Sequence, residues 1–215
     1  ILSIAFEYIF FAISYPFGVN SINLFIQTLP LTSTTKISFF EVKGFKNFYD
    51  TISMNFADIR DYKFNCQCIT NNLIGKAIIY GKNSIGKSNF GLALFDIVSH
   101  LSSKNVTPNL YEYYLTAQYP NSYAEFHYVF SFANHIVDYT YRKNEKQALL
   151  YEQLFIDNVL LFDYDYKKEN GNLEGVKAIA PTLNWAFVDV DCILKYIINN
   201  TVLDDAHPLR QMMRF

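Results

Sequence analysis

The chain is poor in cysteine and balanced in charge, and it lacks a long unbroken apolar run. Its three cysteines, Cys66, Cys68 and Cys192, are odd in number, and Cys66-Gln67-Cys68 has no second pair at zinc spacing. They read as reduced core or strand cysteines rather than a disulfide framework or metal knuckle. Eighteen Lys and Arg face twenty Asp and Glu for a net charge of −2. No global electrostatic footprint for nucleic acid exists, and any such contact has to be local. His100, His127, His135 and His207 are scattered, none with a partner at ligand spacing. Residues 1–31 are rich in Ile, Phe and Leu and contain no Lys, Arg or His, so there is no positive region of a signal peptide. Glu7, Pro16, Gly18, Asn20 and Asn23 break the run short of the ~18 apolar residues that suggest a membrane span. No Met precedes Met54. Residues 1–35 are therefore expected to be an apolar leader apart from the domain, at the head of a fragment or an alternative start. A cytoplasmic location is expected.

What is present begins with core material. At 215 residues, 51% hydrophobic and 18% aromatic, the chain can bury a real core in one or two domains. The sequence Ala77-Ile78-Ile79-Tyr80-Gly81-Lys82-Asn83-Ser84-Ile85-Gly86-Lys87-Ser88-Asn89-Phe90 contains the pattern G-x-x-x-x-G-K-[ST] of a phosphate-binding loop. Chance alone gives such a match in a chain of this length on the order of 1% of the time, so the flanks decide. Lys76 to Tyr80 is a short apolar run suited to a buried strand, and Ser88 to Leu101 places Leu94, Ile97, Val98 and Leu101 at helical spacing. Gly81 and Gly86 allow a tight turn and close approach of the backbone, so the N–H groups of residues 82–88 can point at an anion. The helix starting near Lys87 adds its positive end. Lys87 is expected on the β- and γ-phosphates of ATP and Ser88 on the Mg²⁺ that bridges them, with Lys82 a solvated loop charge. The candidate nucleotide site is Gly81, Lys82, Asn83, Ser84, Ile85, Gly86, Lys87, Ser88 and Asn89.

Strands are expected over Ile37–Val42 and Thr51–Phe56, joined by Lys43-Gly44-Phe45-Lys46-Asn47-Phe48. Further strands are expected over Ser122–Phe132 and Ile136–Arg142, from alternating apolar residues, and over Leu149–Ile156 and Val159–Phe162, hinged at Asp157-Asn158. An amphipathic helix is expected over Leu183–Asn199. The order strand, G-F-K-N-F, strand, spacer, then YGxNxxGKSN resembles the start of ABC-type ATPase heads. It looks like the AAA family ATPases related to structural-maintenance-of-chromosomes, RecF and overcoming-lysogeny proteins, most closely the bacterial ones linked to abortive infection and phage defence. The resemblance covers about residues 36–162. It implies an α/β P-loop fold with a mixed sheet and antiparallel meander, cut off before a second lobe. It also implies hydrolysis of ATP in the complete protein, head-to-head homodimers and an effector nuclease or toxin as partner. By analogy Lys46, in the first connection, is a candidate adenosine-side contact. The domains so read are residues 1–35 as leader, 36–180 as the first lobe and 181–215 as the start of a helical segment.

Several parts of a hydrolytic site are missing. Val159-Leu160-Leu161-Phe162-Asp163 and Ala186-Phe187-Val188-Asp189 imitate an apolar run that ends in Asp-Glu, but Tyr164 and Val190 stand where the Glu belongs. Asp163 reads as a hairpin-end aspartate and Asp189 as a helix position. No glycine lies between Gly91 and Gly171 to mark a signature helix. Gln118 is a weak match to the glutamine that senses Mg²⁺ in such heads. The catalytic residues stay unassigned. A GTPase is excluded, because no Asp stands three residues before any of the eight glycines. The alternatives are a nucleotide-binding interaction module that does not hydrolyse, and a P-loop kinase of small substrates, though a kinase would carry the loop on its first strand. A head cut inside its sheet is expected to leave apolar residues among Phe126, Phe130, Leu160 and Phe162 exposed.

Overall fold

The computed structural model describes residues 24–27 (main chain only), 36–61, 63, 65–102, 111–117, 122–132, 134–185 and 191–212. In chain order the first elements are β1 (Leu24–Gln27), β2 (Lys36–Lys43), β3 (Ile52–Asn55), a one-turn 3-10 helix (Cys66–Cys68), β4 (Ile69–Thr70), β5 (Leu73–Ile74) and β6 (Lys76–Ile79). There follow α1 (Lys87–Leu94), α2 (Asp96–Ser102), β7 (Ala124–Ser131), β8 (Ile136–Lys143), β9 (Leu149–Ile156) and β10 (Val159–Asp165). The last are β11 (Asn170–Asn172), α3 (Glu174–Ile179), α4 (Ile193–Asn200) and α5 (Pro208–Met212). The fold is mixed α/β with a largely antiparallel sheet. The described residues form two compact units, one within Ile1–Thr32 and Asn55–Tyr111, the other within Ser33–Met54 and Glu112–Phe215.

The second unit is built on a seven-stranded sheet in the order β11-β10-β9-β8-β7-β2-β3. Alternation in the sequence produces it. Ala124, Phe126, Tyr128 and Phe130 of β7 are all fully buried, while Glu125, His127, Val129 and Ser131 between them are half-exposed. Phe126 stacks on Tyr141 at 5.1 Å and meets Phe45 at 5.5 Å, and Phe40 packs on Tyr128 at 4.9 Å. Each such ring stabilises the fold by roughly 1.5–3 kcal/mol through burial. Asp157 and Asn158 both take left-handed backbone, φ 51° and 65°, the geometry of the two-residue turn that matches strand twist between β9 and β10.

Three expectations need correction here. Phe126, Phe130 and Phe162 are fully buried rather than exposed, because the meander closes a complete aromatic face. β10 runs on to Asp165, so Asp163 lies within the strand, opposite Gln153 and Asn172, and not at a hairpin end. The helix expected from Leu183 starts only at Ile193, with Cys192 extended at φ −163°. Its start is fixed by Glu152, a carboxylate fully buried on β9. Glu152 accepts from Ile193 N at 3.1 Å, from Leu194 N at 3.3 Å and from the Tyr166 hydroxyl at 2.6 Å, satisfying amide groups that the first helical turn leaves unpaired. Burial pushes this carboxyl above the ordinary range, against the opposing pull of those hydrogen bonds.

The first unit holds the antiparallel pair β1–β6, the β4–β5 hairpin, α1 and α2. β1 and β6 pair Leu24 with Ile79 through Gln27 with Lys76. The expected single helix from Ser88 to Leu101 is broken at Phe95 into α1 and α2, where Phe95 N donates to Gly91 O and Val98 N to Phe95 O. Among the described residues no helix is long and apolar enough to cross a membrane.

Candidate phosphate-binding site

The strand, loop and helix around Gly81 follow one another along the chain, but β6 is not the buried strand expected: it pairs only with β1 among the described residues, and Ile78 is 48% exposed. β6 ends at Ile79, Tyr80 follows and is largely exposed, and α1 begins at Lys87. Two residues bend the loop through left-handed backbone, Ser84 at φ 62° and Gly86 at φ 104°. Glycine suits the second, since L side chains disfavour that region. At Gly81 the reason is space: an added Cβ would lie 3.3 Å from Ile85 Cγ2 and 4.0 Å from Lys87 Cδ. The missing side chain leaves room for Ile85, while the distance to Lys87 is an ordinary contact.

Lys87 is the centre of this arrangement. It is the first residue of α1, its residue is only 7% exposed, and its Nζ donates to Gly81 O and Lys82 O, both at 2.7 Å. The ammonium is thereby drawn back over the loop by two carbonyl dipoles. Gly86 carries no side chain that could cap the helix, so no side-chain oxygen of the N-cap competes for the N–H groups of the first turn. The N–H groups of the first turn, the helix dipole and one ammonium lie about a turn whose outer residues Lys82, Asn83, Ser84 and Ser88 are exposed. Ile85, in the same turn, is 61% exposed. Phe90, Ala93 and Leu94 are buried and anchor the helix behind it.

The remaining sequence candidates are elsewhere. Lys46 belongs to the second unit, with φ 49°, and its Nζ donates to Glu112 O at 2.7 Å. Burial lowers its ammonium below the ordinary lysine range, with Glu145 and Glu112 opposing. Asp163 Oδ1 accepts from Asn172 N at 3.0 Å across the β10–β11 pair. Gln118 and Asp189 lie outside the described residues. Cys66 is exposed and Cys68 half-buried on the 3-10 turn, so of the three free cysteines only Cys192 is buried. The core-or-strand reading fails for Cys66 and Cys68, because both lie on a 3-10 turn before β4 that buries neither of them.

Sequence reasoning missed the Glu152 network. A signal existed, since Glu152 shares the inward face of β9 with Leu154 by strict alternation, and a glutamate on that face needs several donors. No protein-family model matches the chain, and no curated protein or solved structure matches it significantly.

Proposed function

We propose that this chain binds ATP through the loop from Gly81 to Asn89, as part of an ABC-like P-loop ATPase head. The observation that carries the proposal is Lys87: its ammonium is held at 2.7 Å from two loop carbonyls at the mouth of a helix whose N-cap, Gly86, supplies no side chain. A buried ammonium at the start of a helix, beside a glycine-bearing loop, suits a multiply charged anion. The loop amides would hold the phosphate oxygens, and Lys87 would place its charge on the β- and γ-phosphates. Ser88 stands exposed on the first turn of α1, where its hydroxyl fits a hard cation. Mg²⁺ bound there would neutralise charge between the phosphates.

Hydrolysis is proposed only for the complete protein, with a second lobe and a partner head supplying the carboxylate and the oriented water. The family resemblance carries the homodimer, the effector nuclease or toxin and the role in bacterial defence or DNA transactions, and the resemblance alone. A non-hydrolysing nucleotide-binding module is favoured by one observation. The Asp163 carboxylate, on the strand that imitates a metal-binding run, is engaged by Asn172 N. The test is calorimetric titration of the purified chain with ATP and Mg²⁺. Saturable binding that fails to appear with adenosine supports the reading, and absence of saturation at millimolar ATP overturns it.

A further inference from the structure

Cys66 and Cys68 lie two residues apart on the single 3-10 turn before β4, both free, one exposed and the other half-buried. At three residues per turn and a rise of ~2 Å per residue their Cα atoms are about 5 Å apart, within the separation that a disulfide spans. Their Cβ atoms leave the turn in different directions, so the sulfurs can meet only if the turn unwinds. Three hydrogen bonds depend on that turn, the first from Ile69 N to Cys66 O. Cys68 N donates to Asn65 O at 2.8 Å, and Cys68 O accepts from Gly75 N at 2.7 Å. Gly75 is the residue immediately before β6, the strand that runs into the phosphate loop. Cys192, the third thiol, is buried in the second unit, and burial keeps it protonated.

We propose that Cys66 and Cys68 are a redox-responsive dithiol whose oxidation loosens the start of β6. A hydroperoxide transfers one oxygen to the exposed Cys66 sulfur, giving a sulfenic acid and leaving water or an alcohol. The Cys68 sulfur then attacks Cys66, the S–O bond breaks, a second water departs, and the disulfide forms. Two thiols lose two hydrogens and the peroxide is reduced. The closed disulfide cannot keep the 3-10 turn, so the Cys68 carbonyl withdraws from Gly75 N. This inference concerns the turn and β6 alone and stands independently of the nucleotide reading.

The experiment is intact mass measurement after treatment with a small excess of hydrogen peroxide and alkylation in denaturant. The expected product has lost about 2 Da and carries one alkyl group, on Cys192. Cys66→Ser and Cys68→Ser should abolish that loss, and Cys192→Ser should retain it. Both variant positions reach solvent, and a circular dichroism spectrum checks each fold. Hydrogen exchange of the oxidised chain should be about three- to tenfold faster at Gly75 and the β6 amides than in the reduced chain, the loss of one hydrogen bond. Retention of all three thiols, oxygen addition without loss of hydrogen, or a disulfide only between chains would overturn the dithiol. An intact disulfide with unchanged exchange at Gly75 would overturn its link to β6.

Discussion

Replacing Lys87 separates what its charge does from what its stem does. The side chain is buried along its aliphatic length and ends in two hydrogen bonds to Gly81 O and Lys82 O. Lys87→Met keeps most of the stem and removes the ammonium. Because the two loop carbonyls can be rehydrated, the fold should lose only about 1–2 kcal/mol. Lys87→Ala also removes apolar burial worth about 0.8 kcal/mol per methylene, or roughly 2 kcal/mol more. ATP affinity should behave differently. If the ammonium meets the β- and γ-phosphates, both variants lose the same charge-assisted bonds. The dissociation constant should then rise about 30- to 100-fold in each, equivalent to some 2–3 kcal/mol. Urea unfolding gives the stabilities and calorimetry the affinities. Equal losses of affinity alongside unequal losses of stability support the site. If Lys87→Met binds ATP like the original while Lys87→Ala does not, the lysine only packs the loop, and the argument from its charge is refuted.

Four further outcomes are expected. Ser88→Ala should weaken ATP binding about tenfold with Mg²⁺ present and hardly at all in a chelator; equal losses in both conditions would make the hydroxyl a helix-start group only. Glu152→Ala should destabilise the chain by about 3–5 kcal/mol in urea unfolding, because it strands Tyr166 OH and Leu194 N and removes one of two acceptors from Ile193 N; a loss under about 1 kcal/mol would show that water replaces the carboxylate. Asp157 is held below the ordinary aspartate range by hydrogen bonds from His135 and Ile136 N. Its contribution is thus present above the unfolded pKa and lost as pH falls through the lower folded one. Asp157→Asn, which tolerates the left-handed turn, should lower the urea midpoint near pH ~7 and make no difference near pH ~2; a difference that persists in acid would contradict this. Phosphate release from ATP by this chain should not exceed that of Lys87→Ala, and any clear excess would point to a working carboxylate.

The sheet was legible because its determinants are local. β7 and β8 alternate with period two along their whole length, so their buried face can be counted from the letters, whereas β10 breaks the alternation at Leu161 and Phe162, both buried at a register shift. The turn at Asp157-Asn158 was legible for the same reason, since these residue types tolerate left-handed backbone. The loop at Gly81 was legible from spacing, whereas the hold of Gly81 O and Lys82 O on Lys87 Nζ was not, because main-chain carbonyls leave no mark in a sequence. The start of α4 was illegible for a different reason. Periodicity runs back to Leu183, but helix onset is decided by Glu152, some 40 residues earlier in the chain. The break at Phe95 had no breaker residue to announce it. β1, drawn from the apolar stretch set aside as leader, pairs with β6, and nothing in its letters specified that partner.

The acidic residues explain why binding and turnover separate in this reading. A carboxylate that holds Mg²⁺ or orients an attacking water must keep lone pairs open toward the phosphates. In the sheet-bearing unit six of the described carboxylates are engaged in hydrogen bonds or ion pairs. Glu152 caps α4, Asp163 takes Asn172 N, and Glu145 accepts from Tyr114 N and Leu115 N. Asp138 meets His127, Glu125 meets Arg142, and Asp165 gathers Lys167 N, Lys168 N and the Lys168 ammonium. Freeing any of them would cost the hydrogen bonds it accepts, and for buried Glu152 several kcal/mol. The first unit carries different equipment, a glycine-bearing loop around one buried ammonium, and residues 81–89 include no carboxylate. On the reading proposed above, a triphosphate would bind at that loop. The arrangement therefore supports nucleotide affinity from this chain's own residues, and it assigns the activation of water to a group that this loop does not contain.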